Sequence, residues 1–314
     1  MRPLITTLNF PGRAAWVARA RMLDRDAMAP HQLVRELLRQ AGPDDVVVLD
    51  GGIGARHLYL DRVAAAVLGH RRRPPRVVIT DATWTPGRGP RAALRAIDGP
   101  RTTYCVLSTS ELESFPRNWG VDPARVAVTP FYWTLPEVGP QPQPDGHGVF
   151  AGGDSLRDHA TLLAAARRVD VPVTVATRLP PPDEVPPNVT WAPVPPATFL
   201  QRLRDSAVVV VPLHAGLERS AGQQTYLNAM VLGKPVVVSD VPGVRDHIVH
   251  RKTGLVVPAG DADALAAALS WVTDPAHAVE VRRMGEEARR AVLADASPDA
   301  YVDRLLAVVD ALPT

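Results

Sequence analysis

The sequence predicts an α/β protein of two Rossmann-like, doubly wound domains, each a parallel sheet with helices on both faces, with a cleft between them. Three observations predict it. Short runs rich in β-branched residues alternate with helical stretches, the alternation breaks once in a Pro- and Gly-rich segment at residues 135–148, and it then restarts on the same plan. A length of 314 residues is enough for two cores of ordinary size, and 46% hydrophobic with 22% charged residues is a globular profile.

In the first half the strands are read at "LITTLNF", "DVVVLD", "RVVITD", "TTYCVLS" and "RVAVTP", short runs whose branched side chains suit a pleated, buried surface. The helices "HQLVRELLRQAG", "HLYLDRVAAAVLGH" and "PRAALRAID" lie between them. The break, "LPEVGPQPQPDGHG", keeps no apolar periodicity and reads as an interdomain linker. The expected bounds are a first domain at 1–138, a linker at 139–147, a second domain at 148–297, and a helix at 298–314 returning to the first domain.

The second half opens with the strand "GVFAGG" and the helix "RDHATLLAAARRV". The strands "PVTVATR" and "NVTWAP", the helix "PATFLQRLRDS" and the strand "AVVVVPL" follow. In "ERSAGQQTYLNAMVLGKPVVVSD", Ser220 and Gln223 have the spacing of a capping box, so a helix is expected to begin there. Gly233 ends it, and "KPVVVSD" is a parallel strand entered through Pro235. "TGLVVPAG" and "DADALAAALSWVTD" complete the sheet and its cover, and two helices close the chain. Ser297 and Pro298 give the last helix an N-cap and a Pro at its first position. Its Val302, Leu305, Leu306 and Val309 form an apolar stripe that needs a partner surface.

Composition removes several function classes. A formal net charge of +2 is far short of a nucleic-acid footprint, and 5% aromatic residues are too few for stacking platforms. The single Cys105 rules out an intramolecular disulfide and a cysteine zinc cluster, and reads as a small buried hydrophobe. No histidine has metal-ligand spacing. "MRPLITTLNF" is too short an apolar run for a signal peptide, and no segment approaches eighteen apolar residues, so a cytoplasmic protein is expected. Arg71, Arg72 and Arg73 in "GHRRRPPR" read first as a solvated helix end; toward an anionic bilayer they would add only weak peripheral attraction, at the inner membrane face.

Two constellations point to an anionic, hydroxyl-bearing ligand. A polar, Gly-containing loop feeding a helix leaves backbone N–H groups for an anion: Ser220 and Gly222 stand on the loop side, with Gln223, Gln224 and Thr225 in the first turn. Asn228 stands one turn beyond Gln224 on the same face, where a neighbouring loop or a ligand hydroxyl must satisfy it. In "AGGDSLRDHATLL", Gly152, Gly153, Asp154 and Ser155 form the turn after the first strand, and Arg157 is read in the first helical turn, aimed at a phosphate. A solvated helix start at Arg157 and Asp158 is the equal alternative, and "GGDSLR" lacks the dinucleotide fingerprint. A phosphate cradle facing a hydroxyl reader suits a nucleoside diphosphate.

"AMVLGKPVVVSDVPGVRDHIVHRKTGLVVPAGDADALAAAL" and "STSELESFPRNWGVDPARVAVTPF" resemble the retaining, nucleotide-sugar-dependent glycosyltransferases with the GT-B fold (group 1, family 4-like). The likeness covers residues 102–310 well and 1–100 only in layout. It implies transfer of a sugar from a UDP-, GDP- or dTDP-sugar to a hydroxyl acceptor, whether small metabolite, polysaccharide or lipid-linked glycan. No tightly bound cofactor is implied; a divalent metal is compatible with the donor, but no ligand motif calls for one. The diphosphate would rest on Gly222–Thr225, with Arg157 as the basic grip and Gly153 in place of the family's other basic residue. The family's two glutamates, with seven residues between them, fall on Ser220 and Asn228. Asn228 could bond the ribose, and Glu218 could reach the sugar if the loop shifts by two residues.

On the acceptor side the resemblance sets Gly12, with Arg13, in a loop against the diphosphate. Asp50 and His57 lie near one strand end, with Gly51, Gly52 and Gly54 between them. Asp81, Thr83 and Trp84 stand at another strand end, where relatives often carry a histidine. Asp81, Glu218 and Arg157 are thus the candidate catalytic residues, although Asp50 and Asp81 also fit simple caps of the loops that follow them. The replaced glutamates leave one alternative to transfer, a nucleotide-sugar-binding or partner protein without turnover; a nucleotide-sugar epimerase of the same fold is a further alternative.

Overall fold

The computed structural model describes residues 3–24, 27–51, 58–139 and 146–313. The chain divides into two compact units, Met1–Pro130 with Asp299–Thr314, and Phe131–Pro298.

The first unit runs β1 (Leu4–Thr6), α1 (Ala14–Val17), β2 (Ala20–Met22), α2 (Pro30–Gln40), β3 (Val46–Asp50), α3 (Leu58–Gly69), β4 (Arg76–Thr80), α4 (Arg88–Ile97), β5 (Thr102–Val106), α5 (Glu111–Trp119) and β6 (Val126–Val128). Its sheet has the order β2-β1-β3-β4-β5-β6, every neighbouring pair parallel. Val46–Leu49 and Arg76–Thr80 are buried along their whole length, as strands covered on both faces must be. The helices α2, α3 and α4 pack side by side in that order. The α1–β2 stretch was absent from the sequence reading. At three residues and mostly exposed, "ARM" carries neither alternation nor branched side chains.

The second unit continues with β7 (Val149–Gly152), α6 (His159–Ala166), β8 (Val173–Ala176), β9 (Val189–Ala192), α7 (Pro196–Asp205), β10 (Val208–Val211), α8 (Gln223–Val231), β11 (Val236–Asp240), β12 (Leu255–Pro258), α9 (Ala262–Thr273) and α10 (Ala278–Asp295). The sheet order is β12-β11-β10-β7-β8-β9, again all parallel. The period of two decides its two cores. Phe150, Val209, Val211, Val236 and Val238 join the core that also holds Tyr226, Leu227 and Met230 of α8. Their neighbours Val149, Ala151, Val208, Val210 and Val237 join the core under α6 and α9.

The last helix, α11 (Pro298–Ala311), belongs to the first unit. Its Tyr301, Val302, Leu305, Leu306 and Val309 are buried there. Arg13 pairs with Asp299 at 2.7 Å, and Arg19 holds Asp310 through two bonds of 2.9 and 2.6 Å. The passage between the units differs from the linker read at 139–147. The chain joins the second unit at Phe131, because Leu135 lies in its core and Phe131, Trp133 and Val138 pack against it. Residues 140–145 of that linker lie outside the described residues.

Candidate functional site

The second sheet reverses direction between β7 and β10: β8 and β9 extend it on one side, β11 and β12 on the other. Open α/β sheets bind ligands outside the strand carboxyl ends at such a switch. Here the loops after β7 and β10 meet, with Arg157 bridging to Leu213.

Gly222 is the N-cap of α8, in a left-handed conformation at φ 75°, and a Cβ there would lie 2.8 Å from Val211 Cγ1. Both conditions require glycine. This corrects the expected capping box: no side chain caps α8, and Ser220 stands two residues upstream of the cap. Ser220 is buried, and its Oγ has no hydrogen-bond partner among the described residues. The first amides of a helix lack intrahelical acceptors, so this end of α8 carries positive potential. Gln223 and Thr225 are buried in the first turn, and Gln224 is exposed beside them.

Arg157 is neither in the first helical turn nor solvated. It precedes Asp158, whose side chain caps α6 by accepting from the Thr161 amide at 3.0 Å. Arg157 is 9% exposed; its Nε donates to Gly152 O at 3.0 Å, Nη1 to Ser155 O at 2.9 Å and Nη2 to Thr225 Oγ1 at 3.1 Å. A guanidinium has five N–H donors, so these bonds leave capacity for an anion. Burial lowers its pKa to about 10, partly offset by Asp154, and the group stays cationic at neutral pH. Gly153, at φ 113°, lets the guanidinium lie close, since a Cβ there would sit 2.8 Å from Nη2. Asp154 is tied to the end of β8 by Thr177 and Arg178.

Asn228, where the resemblance set one of the two glutamates, and Glu218, its shifted alternative to Ser220 for the other, differ in their surroundings. Asn228 Oδ1 accepts from the Thr134 amide at 2.7 Å, and its Nδ2 donates to Thr134 Oγ1 at 3.1 Å. Gln224 Nε2 also reaches that hydroxyl, at 3.0 Å. A neighbouring loop thus satisfies Asn228, and a ribose hydroxyl would have to compete with Thr134. Glu218 is exposed, four residues before the cap. Thr134 escaped the sequence reading, and so did His159. The His159 ring is buried edge-on to Trp191 at 4.9 Å, with neither nitrogen hydrogen-bonded among the described residues. Burial and then the Arg157 charge hold its pKa down.

The candidate acceptor residues lie in the first unit. Asp81 follows β4 with φ 51°, a left-handed backbone rare outside glycine. Its carboxylate accepts from Tyr301 Oη at 2.9 Å. Withdrawal from solvent and then the Asp50 charge raise its pKa to about 7, against the lowering effect of Tyr301. Thr83 donates its amide to Asp81 O at 2.6 Å. Trp84 is a correction: it is buried, its Nε1 donates to Gly51 O at 2.7 Å, and its ring packs edge-on to Tyr104 and Trp119. Its polar tip and both flanks are thus occupied within the first unit. Gly12 has φ 78° and open space where a Cβ would stand. His57, like Gly52 and Gly54, lies outside the described residues. Cys105 is buried, and its thiol pKa is pushed up to about 12 by that burial and by Asp81. No group of three or more potential metal ligands occurs among the described residues.

Residues 143–274 match the family model "Glycosyl transferases group 1", less than half of the chain but including both the Gly152–Asp158 loop and α8. A glycosyltransferase from Rickettsia africae superposes with a TM-score of 0.66 at 11% identity, covering 99% of this chain and 90% of that one. The chain has the GT-B fold. Anabaena Alr3699/HepE, solved with UDP-glucose, shares it with a TM-score of 0.66 at 12% identity, over 98% of this chain and 91% of that one. A sucrose-phosphate synthase from Thermosynechococcus elongatus matches with a TM-score of 0.62 at 18% identity, over 84% and 73%. None of the curated proteins compared matches this GT-B chain in sequence.

Proposed function

We propose that the protein is a retaining glycosyltransferase that moves a sugar from a nucleoside diphosphate sugar to a hydroxyl acceptor. The observation that carries this reading is Arg157, a buried guanidinium held against Thr225 in the uncapped first turn of α8. A permanent cation at a helix N-terminus is a ready-made seat for a diphosphate. Its charge and the first-turn amides would stabilise the negative charge that builds on the leaving phosphate. In front-face transfer, the bond from the anomeric carbon to the diphosphate oxygen breaks to a short-lived oxocarbenium–diphosphate pair, and the acceptor hydroxyl attacks the anomeric carbon from that same side. The leaving phosphate oxygen then takes the acceptor's proton, so no carboxylate pair is needed. Ser220, with its buried unpaired hydroxyl, is assigned to the sugar side ahead of the exposed Glu218. Asp81 is assigned to orienting an acceptor hydroxyl. The Anabaena protein's UDP-glucose makes that donor the first to test.

The test is calorimetric titration with UDP, GDP and dTDP, followed by the sugar nucleotides of the tightest one and a search for transfer or donor hydrolysis. Affinity for none of the three would end the proposal. Two observations favour a second reading, a nucleotide-sugar-binding protein without turnover: neither glutamate is present, and Asn228 is engaged by Thr134. Tight nucleotide binding with neither transfer nor hydrolysis would select it.

A further inference from the structure

We propose that the outer face of the α2–α3–α4 layer docks the protein on an anionic lipid bilayer. On α4, Arg88, Arg91 and Arg95 recur at helical spacing, all three are exposed, and none makes an ion pair or hydrogen bond among the described residues. That helix contains no acid. Next to it, α3 exposes Val63 and Val67, 50% and 45% accessible and one turn apart. Arg72 and Arg73, exposed and likewise unpaired, follow the end of α3. Beyond it, α2 adds exposed Arg35. Among the described side chains of the three helices the one acid is Glu36, and Arg39 neutralises it through two bonds of 2.9 and 2.6 Å.

The pattern is an apolar strip flanked on both sides by guanidinium groups that are unpaired among the described residues. Among the described residues no structural role accounts for the α4 arginines, in contrast to Arg71 and Arg101, which are used on backbone carbonyls. Free cations attract an anionic headgroup layer, and exposed branched side chains gain by entering the boundary beneath it. A nucleic acid would satisfy the arginines but not the valines. The described side chains of the layer also expose no Phe, Tyr or Trp on which a base could stack. Among the described residues no helix is long and apolar enough to cross a membrane, so the contact is peripheral.

The experiment is co-sedimentation of the full chain with vesicles of phosphatidylcholine alone, or mixed with phosphatidylglycerol, at low and high salt. The expected result is binding to the mixed vesicles only, weakened by salt. Arg88→Glu, Arg91→Glu and Arg95→Glu together should lower vesicle affinity about a hundredfold or more, at roughly tenfold per 1.4 kcal/mol and about 1 kcal/mol per cation. Val63→Ser with Val67→Ser should lower it less and leave the salt dependence intact. Circular dichroism melts establish that each variant folds; if the glutamate variant does not, the corresponding glutamine variant is read in its place. Wild-type protein remaining in the supernatant, or a charge variant sedimenting like wild type, overturns the proposal. So does salt-dependent binding of a single-stranded RNA without vesicle binding. The inference does not depend on the donor reading, and nucleotide titration of the same variants, expected to be unchanged, keeps the two separable.

Discussion

Burial moves the charge equilibria of Arg157 and Asp81, down to about 10 for the guanidinium and up to about 7 for the carboxyl. Arg157→Ala is expected to weaken donor binding by about 1.5–3 kcal/mol, the range for bonds to charged groups. Calorimetry of folded wild type and variant checks this, and equal affinities would return the arginine to a structural part. Asp81 titrates near 7 in the folded chain instead of near 3.8. A carboxyl whose pKa is raised by folding contributes stability below its unfolded value, and that contribution is lost as pH rises from about 4 to about 7. Asp81→Asn should therefore add at most about 4 kcal/mol of stability at pH 8, read as a higher melting temperature, and change little at pH 4. If Asp81 also orients the acceptor in its ionised form, the wild-type rate should climb through pH 7 and the Asn variant's profile should be flat there. Two melts and a pH–rate profile decide both points. Neither group's state was legible in the sequence. Asp81 stood out at a strand end, but its hydroxyl partner Tyr301 lies 220 positions away.

At the scale of elements, α8 separates what spacing can reveal from what it cannot. The strands, their burial and the helix itself followed from branched runs and from the glycine after the helix, because those signals are local. The cap did not: Ser220 and Gln223 have capping-box spacing, but the left-handed turn at Gly222 starts the helix and leaves Ser220 behind. Trp84 shows the same limit, since a side chain with an apolar body and a polar tip reads equally as ligand contact or core. Asn228 shows it again, because its partner Thr134 is 94 residues distant. A prediction distinguishes the two caps. Gly222→Ala must force a Cβ against Val211 in a left-handed backbone, at about 1–3 kcal/mol, and should disturb the first turn enough to weaken nucleotide binding. Ser220→Ala removes a buried hydroxyl that caps nothing, so denaturant melts should show no loss near the ~1 kcal/mol typical of a cap. A large loss for Ser220→Ala with none for Gly222→Ala would reinstate the capping box.

The whole molecule is two units whose membership does not follow chain order, since the last helix is part of the first unit. The second unit, by contrast, is one stretch of chain with its own two cores. Ending the chain after Ser297 therefore tests each unit separately. The first unit would lose the buried Tyr301, Val302, Leu305, Leu306 and Val309, and a fully buried aliphatic side chain is worth about 1.5–3 kcal/mol. Arg19, with its side chain 6% exposed, would also lose its two-bond partner Asp310. The exposed Arg13–Asp299 pair adds little to this balance. The summed loss is comparable to the whole stability of an ordinary domain. Hydrogen exchange on the truncated chain should accordingly show β3, β4 and β5 exchanging as in an unfolded state, while β7, β10 and β11 keep full-length protection. Native protection in both sheets would mean that the first unit stands without its returning helix. Loss in both would mean that the two units fold as one.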